Sequence, residues 1–228
     1  MTAIVSCDNV SKVYQQGSVQ VEALRGVSLT IEKGEFMALA GPSGSGKTTL
    51  LNLIGGLDLP DGGNIIVDGN EFKTMNQSRL AELRLHRIGF IFQSYNLIPV
   101  LSALENVEYV MLLQGVPKAD RRKRAGAMLN EVGLSGKYDR RPHELSGGQQ
   151  QRVAVARAIV SDPAIVLADE PTANLDSKTG ESLLTIMREM NERKTVTFIF
   201  STHDEHVMDH ARRLVHIRDG RIADDHVK

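Results

Sequence analysis

The sequence predicts an α/β fold with a mostly parallel sheet and a helical part inserted into it. Residues 36–40 are continuously apolar, which is typical of a strand that is covered on both faces. From residue 164 onward, apolar strand patterns alternate with helical patterns, as they do in proteins with a parallel sheet. Between these regions, residues 105–132 carry helical patterns only. A chain of 228 residues is long enough for one such domain.

The remaining elements follow from periodicity along the chain. Val27, Leu29 and Ile31 alternate with polar residues, which indicates a half-buried strand. Further strands are predicted at 65–67, 88–92, 165–168, 197–201 and 214–217. Helices are predicted from the glycine-rich turn to residue 54 and at 105–114, 118–132, 177–192 and 205–211. We therefore expect one domain over residues 1–228, with a core formed by 1–92 and 163–228 and a helical subdomain at about 93–162.

Composition and charge argue against several classes of protein. The net charge is -1, so the basic excess typical of a nucleic-acid-binding protein is lacking and we expect no nucleic acid partner. The uncharged stretch 89–104 is too short and too polar to cross a bilayer, which needs about 20 apolar residues. Asp8 and Lys12 interrupt any apolar signal sequence, and the single Cys7 favours a reducing compartment. The basic cluster 121–124 is interpreted as a solvated helix face, with a lipid or partner contact as the alternative.

A phosphate-binding loop is predicted between the buried strand 36–40 and the helix that follows it. The pattern G-x-x-x-x-G-K-[ST] is matched by Gly41, Pro42, Ser43, Gly44, Ser45, Gly46, Lys47 and Thr48, and Thr49 continues into the helix. Glycines allow successive backbone N–H groups to turn toward a phosphate, and the helix N-terminus adds partial positive charge. Lys47 supplies a full charge for the β- and γ-phosphates, and the Thr48 hydroxyl can ligate Mg²⁺. A glycine-rich turn with a chance lysine is the alternative, and the strand and helix on either side of the loop disfavour it.

Two acids follow the apolar strand 165–168. Asp169 is predicted to hold Mg²⁺, directly or through water, and Glu170 is predicted to act as general base toward the attacking water. Paired carboxylates at a strand end could instead cap a helix, but Pro171 follows them and a phosphate loop requires an acid partner. The sequence therefore predicts a P-loop NTPase core that binds a nucleotide and Mg²⁺, although a phosphate loop alone is shared by many functions, from GTPases to kinases.

A second anion site is predicted at residues 145–149, which we call the signature. Ser146 is a good N-cap, and Gly147 and Gly148 expose backbone N–H groups at the start of a helix. Gln149 completes the segment. A single domain has no evident use for two sites that hold a γ-phosphate. The pattern therefore indicates two chains paired head to tail, each signature closing over the nucleotide of the other chain.

Taken together, these motifs resemble the ABC-type ATPase family, and the resemblance covers essentially the whole chain. It implies an N-terminal antiparallel β subdomain, adenine stacking by Tyr14 and nucleotide contacts from Ser146, Gly147, Gly148 and Gln149. It also implies that Gln93 contacts Mg²⁺ and the attacking water, that His203 contacts the γ-phosphate and that the loop ending at Asp176 communicates across the dimer. The implied catalytic set is Lys47, Gln93, Glu170 and His203, the nucleotide-contacting set includes Asp176, and the implied metal ligands are Thr48, Gln93 and Asp169.

Within that family, residues 92–99, 103–107 and 168–176 look most similar to the lipoprotein-releasing and macrolide-export group. Gln149 and Ala173 depart from that group, which often has Glu and Gly there. The resemblance implies a homodimer of ATPase subunits at the cytoplasmic face of the inner membrane. Integral membrane permease subunits would be energised for export or lipoprotein extraction. The alternative is the ATPase partner of a cell-division membrane complex, and an ATPase acting on ribosomes or DNA fits less well because only one compact cassette is present.

Overall fold

The computed structural model describes residues 3–228, which form ten strands and seven α-helices. The strands are β1 (Ala3–Gln16), β2 (Val19–Glu32), β3 (Phe36–Ala40), β4 (Gly62–Val67), β5 (Asn70–Glu71), β6 (Ile88–Ile91), β7 (Ile165–Asp169), β8 (Thr197–Thr202), β9 (Arg213–Arg218) and β10 (Arg221–Val227). The helices are α1 (Lys47–Ile54), α2 (Gln77–Arg87), α3 (Ala103–Leu113), α4 (Lys118–Glu131), α5 (Gly147–Ile159), α6 (Ser177–Lys194) and α7 (Glu205–His210). Short 3₁₀ turns occupy Phe72–Thr74 and Pro142–Glu144.

The central sheet has six strands in the order β10-β9-β3-β8-β7-β6, and only the β9–β10 pair is antiparallel. Every residue of β3 is buried. Phe36 and Ala38 pack into the core on one face, and Met37 and Leu39 pack into the core on the other. The mostly parallel sheet predicted from the apolar runs is therefore confirmed.

A second sheet, in the order β2-β1-β4-β5, is entirely antiparallel. Its strand β1 was not predicted, because bulges break the alternation of its apolar residues. The register against β2 shifts four times, for example between Cys7 and Val10. This sheet packs over α1 and one face of the central sheet, where Val5, Leu29 and Ile65 join the same core as Met37.

The helical part packs α3, α4 and α5 against the opposite face of the central sheet. Helix α5 lies close against β6, since a Cβ at Gly89 would lie 2.3 Å from the Ala158 carbonyl oxygen. The basic cluster on α4 divides by role. Arg124 donates to the Val160 carbonyl oxygen, 2.7 Å away, and Arg121 lies 3.5 Å from the buried Glu108. Two of the four cations thus serve packing.

None of the helices within residues 3–228 combines the length and the apolar composition that a bilayer crossing requires.

Candidate functional site

The phosphate loop joins the end of β3 to the first residue of α1, and its backbone can be built only with glycine at two positions. Gly41 has φ +151°, and a Cβ there would lie 2.2 Å from the Ile217 carbonyl oxygen. Gly46 has φ +108°, and its Cβ would lie 2.6 Å from the Ala23 carbonyl oxygen. The loop is therefore held over the N-terminus of α1 by β9 and β2.

Lys47 is the first residue of α1 and is 94% covered, since its exposed fraction is 6%. Its ammonium group donates to the carbonyl oxygens of Gly41 at 2.7 Å and Pro42 at 3.0 Å. Burial lowers the pKa of Lys47, and the charges of Glu170 and Asp169 act in the opposite direction. The loop thus holds a cation through its own carbonyl oxygens, at a glycine-rich turn of the kind that binds phosphate groups.

The predicted metal ligands meet beside this cation. The Thr48 hydroxyl donates to Asp169 Oδ1 at 3.0 Å, and Gln93 lines the same cleft. Mg²⁺ prefers oxygen ligands and is usually held by one or two carboxylates together with phosphates of the substrate. A hydroxyl, a carboxylate and an amide oxygen at one cleft fit this ion.

Glu170 follows β7 with its backbone in the left-handed region, at φ +46°. Its N–H donates to the Ser201 carbonyl oxygen at 2.9 Å, which ties the bend to β8. One carboxylate oxygen lies 2.7 Å from His203 Nδ1, and the other accepts a hydrogen bond from the Thr202 hydroxyl at 3.3 Å. The predicted general base, Glu170, and the histidine predicted to contact the γ-phosphate, His203, are therefore in direct contact.

These side chains line one cleft of about 440 Å³, which we call the phosphate cleft. Its lining consists of Val21, Glu22, Ala23, Ser43, Gly44, Gly46, Lys47, Thr48, Thr49, Gln93, Asp169, Glu170 and His203. The contribution of β2 was missed from the sequence, because residues 21–23 carry no motif and reach the site only through the pairing of β2 with β1.

Tyr14 stands beside this cleft and is not among its lining residues. It pairs with Val21 across the β1–β2 ladder, and its hydroxyl donates to Asp58 Oδ2 at 2.8 Å. The Lys12 ammonium lies 5.2 Å from its ring centroid. Burial and the neighbouring Asp58 raise the pKa of Tyr14 to about 12. Stacking of its ring on adenine stays a prediction.

The signature forms a second cleft of about 320 Å³ at the start of α5, which we call the signature cleft. Ser146 Oγ accepts from the Gln149 N–H at 3.3 Å, and the Gln149 side chain returns to the Ser146 N–H at 3.1 Å. Asp176 caps α6 by accepting from the Thr179 N–H at 3.0 Å and its hydroxyl at 2.6 Å. Thr179 also lines the signature cleft, so Asp176 reaches that cleft through Thr179.

The two clefts share no lining residue within the described part of the chain. Residues 24–173 match the profile of the family described as ABC transporter. The chain belongs to this ABC transporter family. The family predicted from the motifs is therefore confirmed.

Relatives of this ABC cassette include a lipoprotein-releasing system ATP-binding protein LolD from Saccharophagus degradans, which is 47% identical over 89% of both chains. A macrolide export ATP-binding/permease protein MacB from Brucella melitensis is 47% identical over 99% of this chain, which spans 35% of that protein. Among solved structures, a dimeric ATP-binding cassette in a post-hydrolysis state with bound ADP and Pi is 41% identical, covers 98% of both chains and has a TM-score of 0.91. The predicted fold and the predicted ATPase activity are confirmed.

Proposed function

We propose that two copies of this chain close head to tail around MgATP at the cytoplasmic face of the inner membrane, and that closure energises a membrane-embedded partner for export or for extraction of a substrate. The observation that carries the proposal is the division of the nucleotide-binding groups between two separate clefts. The phosphate cleft holds the cation and the acids, whereas the signature cleft holds the capped helix N-terminus. A second copy would bring the two clefts together over one nucleotide.

In this proposal Lys47 and the phosphate-loop N–H groups bind the β- and γ-phosphates. Thr48, Asp169 and Gln93 would hold Mg²⁺, which when bound offsets charge on the phosphate oxygens. Ser146, Gly147 and Gly148 of the opposite copy would complete the site, with Gln149 supporting Ser146 through the capping box.

Glu170 would accept the proton of the attacking water. Its contact with His203 Nδ1 fixes one carboxylate oxygen at 2.7 Å. The bond from the Thr202 hydroxyl to the second oxygen is longer, at 3.3 Å, so the second oxygen is held more weakly. A general base needs one oxygen within hydrogen-bond reach of the water, so this second oxygen is the one we assign to it.

The membrane partner is proposed to bind a groove of about 370 Å³ between β6, α3 and α5. Its apolar lining includes Leu57, Phe90 and Phe92, and the two phenylalanine rings stack with centroids 5.8 Å apart. Leu57 is 48% exposed. Relatives named for lipoprotein release and macrolide export favour transport over the cell-division alternative.

Disulfide formation between two different chains tests the head-to-tail arrangement. In a background with Cys7→Ala and Glu170→Gln, one chain carries Ser43→Cys in the phosphate loop and the other carries Ser146→Cys at the signature. Because each chain has one cysteine, a bond between these positions can form only across the dimer. We expect the covalent dimer on a non-reducing gel with MgATP and little of it without nucleotide.

The matched control replaces Ser146→Cys by Ser78→Cys, an exposed position on α2 outside both clefts. Native Cys7 is 3% exposed, and burial raises its pKa to about 12, so it would form few disulfides even in a chain that retains it. An equal yield of covalent dimer with Ser78→Cys, or a yield that does not depend on ATP, would contradict the composite site.

A further inference from the structure

Two consecutive residues shortly after Gln93 adopt a left-handed backbone conformation that residues other than glycine rarely take. Tyr95 has φ +60° and Asn96 has φ +48°. We call this pair the elbow. Left-handed backbone at a β-carbon-bearing residue is unfavourable and persists only where the surroundings hold it. The elbow lies between the predicted catalytic Gln93 and the helical part that begins with α3.

A single guanidinium from α5 binds the carbonyl oxygens of both elbow residues, whose N–H groups donate to Phe92 and Ser94. Arg157 on α5 donates one terminal nitrogen to the Asn96 carbonyl oxygen at 2.5 Å and the other to the Tyr95 carbonyl oxygen at 2.9 Å. Burial lowers the pKa of Arg157, but an arginine stays charged at neutral pH. The planar fork spans both carbonyls, which the single ammonium of a lysine cannot do in the same geometry.

Helix α5 is tied to the other catalytic segment as well. The buried Gln151 donates to the Pro171 carbonyl oxygen at 2.7 Å, one residue after Glu170. Asn174, from the same loop, donates to the Gln93 carbonyl oxygen at 2.9 Å. The Tyr95 hydroxyl lies against the first residue of the helix, since a Cβ at Gly147 would be 2.9 Å from it. The helix that begins at the signature thus contacts both segments that enter the phosphate cleft of its own chain.

We propose that Arg157 is a positioning residue for ATP hydrolysis: it holds the elbow so that Gln93 stays in the phosphate cleft while Tyr95 rests on the signature. This inference depends on the role proposed above for Gln93. Arg157 itself touches neither Lys47 nor the phosphate loop, so it acts on turnover and leaves nucleotide binding alone.

The test compares Arg157→Lys with Arg124→Lys. Arg124 is the matched control because its guanidinium also donates to a backbone carbonyl oxygen next to α5, that of Val160, but does not contact the elbow. We expect Arg157→Lys to lower kcat at least about tenfold with KM for ATP within twofold, and Arg124→Lys to keep both values near those of the wild type. A kcat for Arg157→Lys equal to that of Arg124→Lys would overturn the proposal.

Adding Asn96→Gly to Arg157→Lys separates positioning from general destabilisation. Glycine adopts φ +48° without steric cost, so the elbow needs less support and we expect at least threefold recovery of kcat. If Arg157 served only to keep the fold, Asn96→Gly would not restore activity, because it adds no packing. A melting temperature that falls without any such recovery contradicts the inference.

Amide hydrogen exchange of residues 93–97 in the nucleotide-free chain gives a readout that does not depend on catalysis. Exchange should be at least several-fold faster in Arg157→Lys and unchanged in Arg124→Lys. Unchanged exchange in Arg157→Lys would show that Arg157 does not hold the elbow, and it would leave the role proposed for Gln93 untouched. Faster exchange with an unchanged kcat overturns the positioning role and counts also against the role proposed for Gln93.

Discussion

At the scale of single residues, the left-handed backbone of Glu170 places its carboxylate over the phosphate cleft. Such a conformation costs on the order of 1–3 kcal/mol and is typical of sites where geometry is enforced by the surroundings. The enforcement is visible in the bond from the Glu170 N–H to the Ser201 carbonyl and in the contact with His203. These restraints hold the carboxylate in place.

Replacing Glu170 by Gln should separate binding from hydrolysis. Gln keeps the size of the side chain and one accepting oxygen, but it cannot accept the proton of water, so turnover should fall by ~10²–10⁴-fold, about 3–5 kcal/mol of barrier. ATP affinity should stay within a few-fold, because Lys47 and the loop are unchanged. Steady-state ATPase assays and equilibrium nucleotide binding check both parts, with Glu189→Gln on the exposed face of α6 as control. Near wild-type turnover would remove Glu170 from the role of base.

Much of the phosphate cleft could be predicted from the sequence because its residues sit at strand ends in short motifs. Asp169 is the last residue of β7, Glu170 follows it, and the loop that leads to Lys47 follows β3; parallel neighbours end at the same edge of the sheet. Val21 could not be predicted, because its place depends on the bulged register between β1 and β2. The same register turns Tyr14 toward Asp58.

At the scale of elements, the starts of the predicted helices agree with the structure within two residues. Asp176 caps α6 at the predicted position, whereas α3 begins at Ala103, two residues earlier than predicted, because Ser102 and Glu105 form a capping box. Helix α2 was missed, since only Leu80 and Leu83 of its eleven residues are buried and the periodic signal is weak. Strand β10 was missed for the same reason: most of its residues are exposed.

The contact between the first turns of α5 and α6 gives an element-scale prediction. A Cβ at Gly148 would lie 2.4 Å from Thr179 Cγ2, so Gly148→Ala should push the two helix starts apart. Overpacking of this kind typically costs about 1–3 kcal/mol, which urea unfolding of the variant can measure.

Thr179→Ser supplies the matched rescue. It removes the obstructing methyl group and retains the hydroxyl that donates to Asp176 at 2.6 Å. The double variant should therefore recover most of the lost stability, while Thr179→Ser alone should change it little. If Gly148→Ala is as stable as the wild type, the helices are not in the tight contact described.

At the scale of the whole molecule, the central sheet separates two cores and carries its functional side chains at one edge. The apolar runs indicated buried parallel strands, but the order β10-β9-β3-β8-β7-β6 could not be read from them, because strand neighbours far apart in sequence leave no local pattern. The groove was missed for a similar reason. Leu57, from the turn after α1, and Phe90, from β6, come together only in the fold.

The groove also gives the prediction that concerns the protein within its assembly. Burying a leucine side chain contributes about 1.5–3 kcal/mol, so Leu57→Asp should weaken attachment to a membrane partner at least about tenfold. Sedimentation with salt-washed membranes of the source cell measures the bound fraction, and thermal melting checks that each variant is folded.

Val227→Asp is the matched control, because Val227 is 74% exposed on the edge strand β10, away from the groove. Its bound fraction should equal that of the wild type. Pure lipid vesicles should bind none of the three chains, since the proposed attachment is to a protein segment. Equal binding of Leu57→Asp and Val227→Asp would place the partner elsewhere on the chain, and equal binding to lipid alone would replace a protein partner by the bilayer surface.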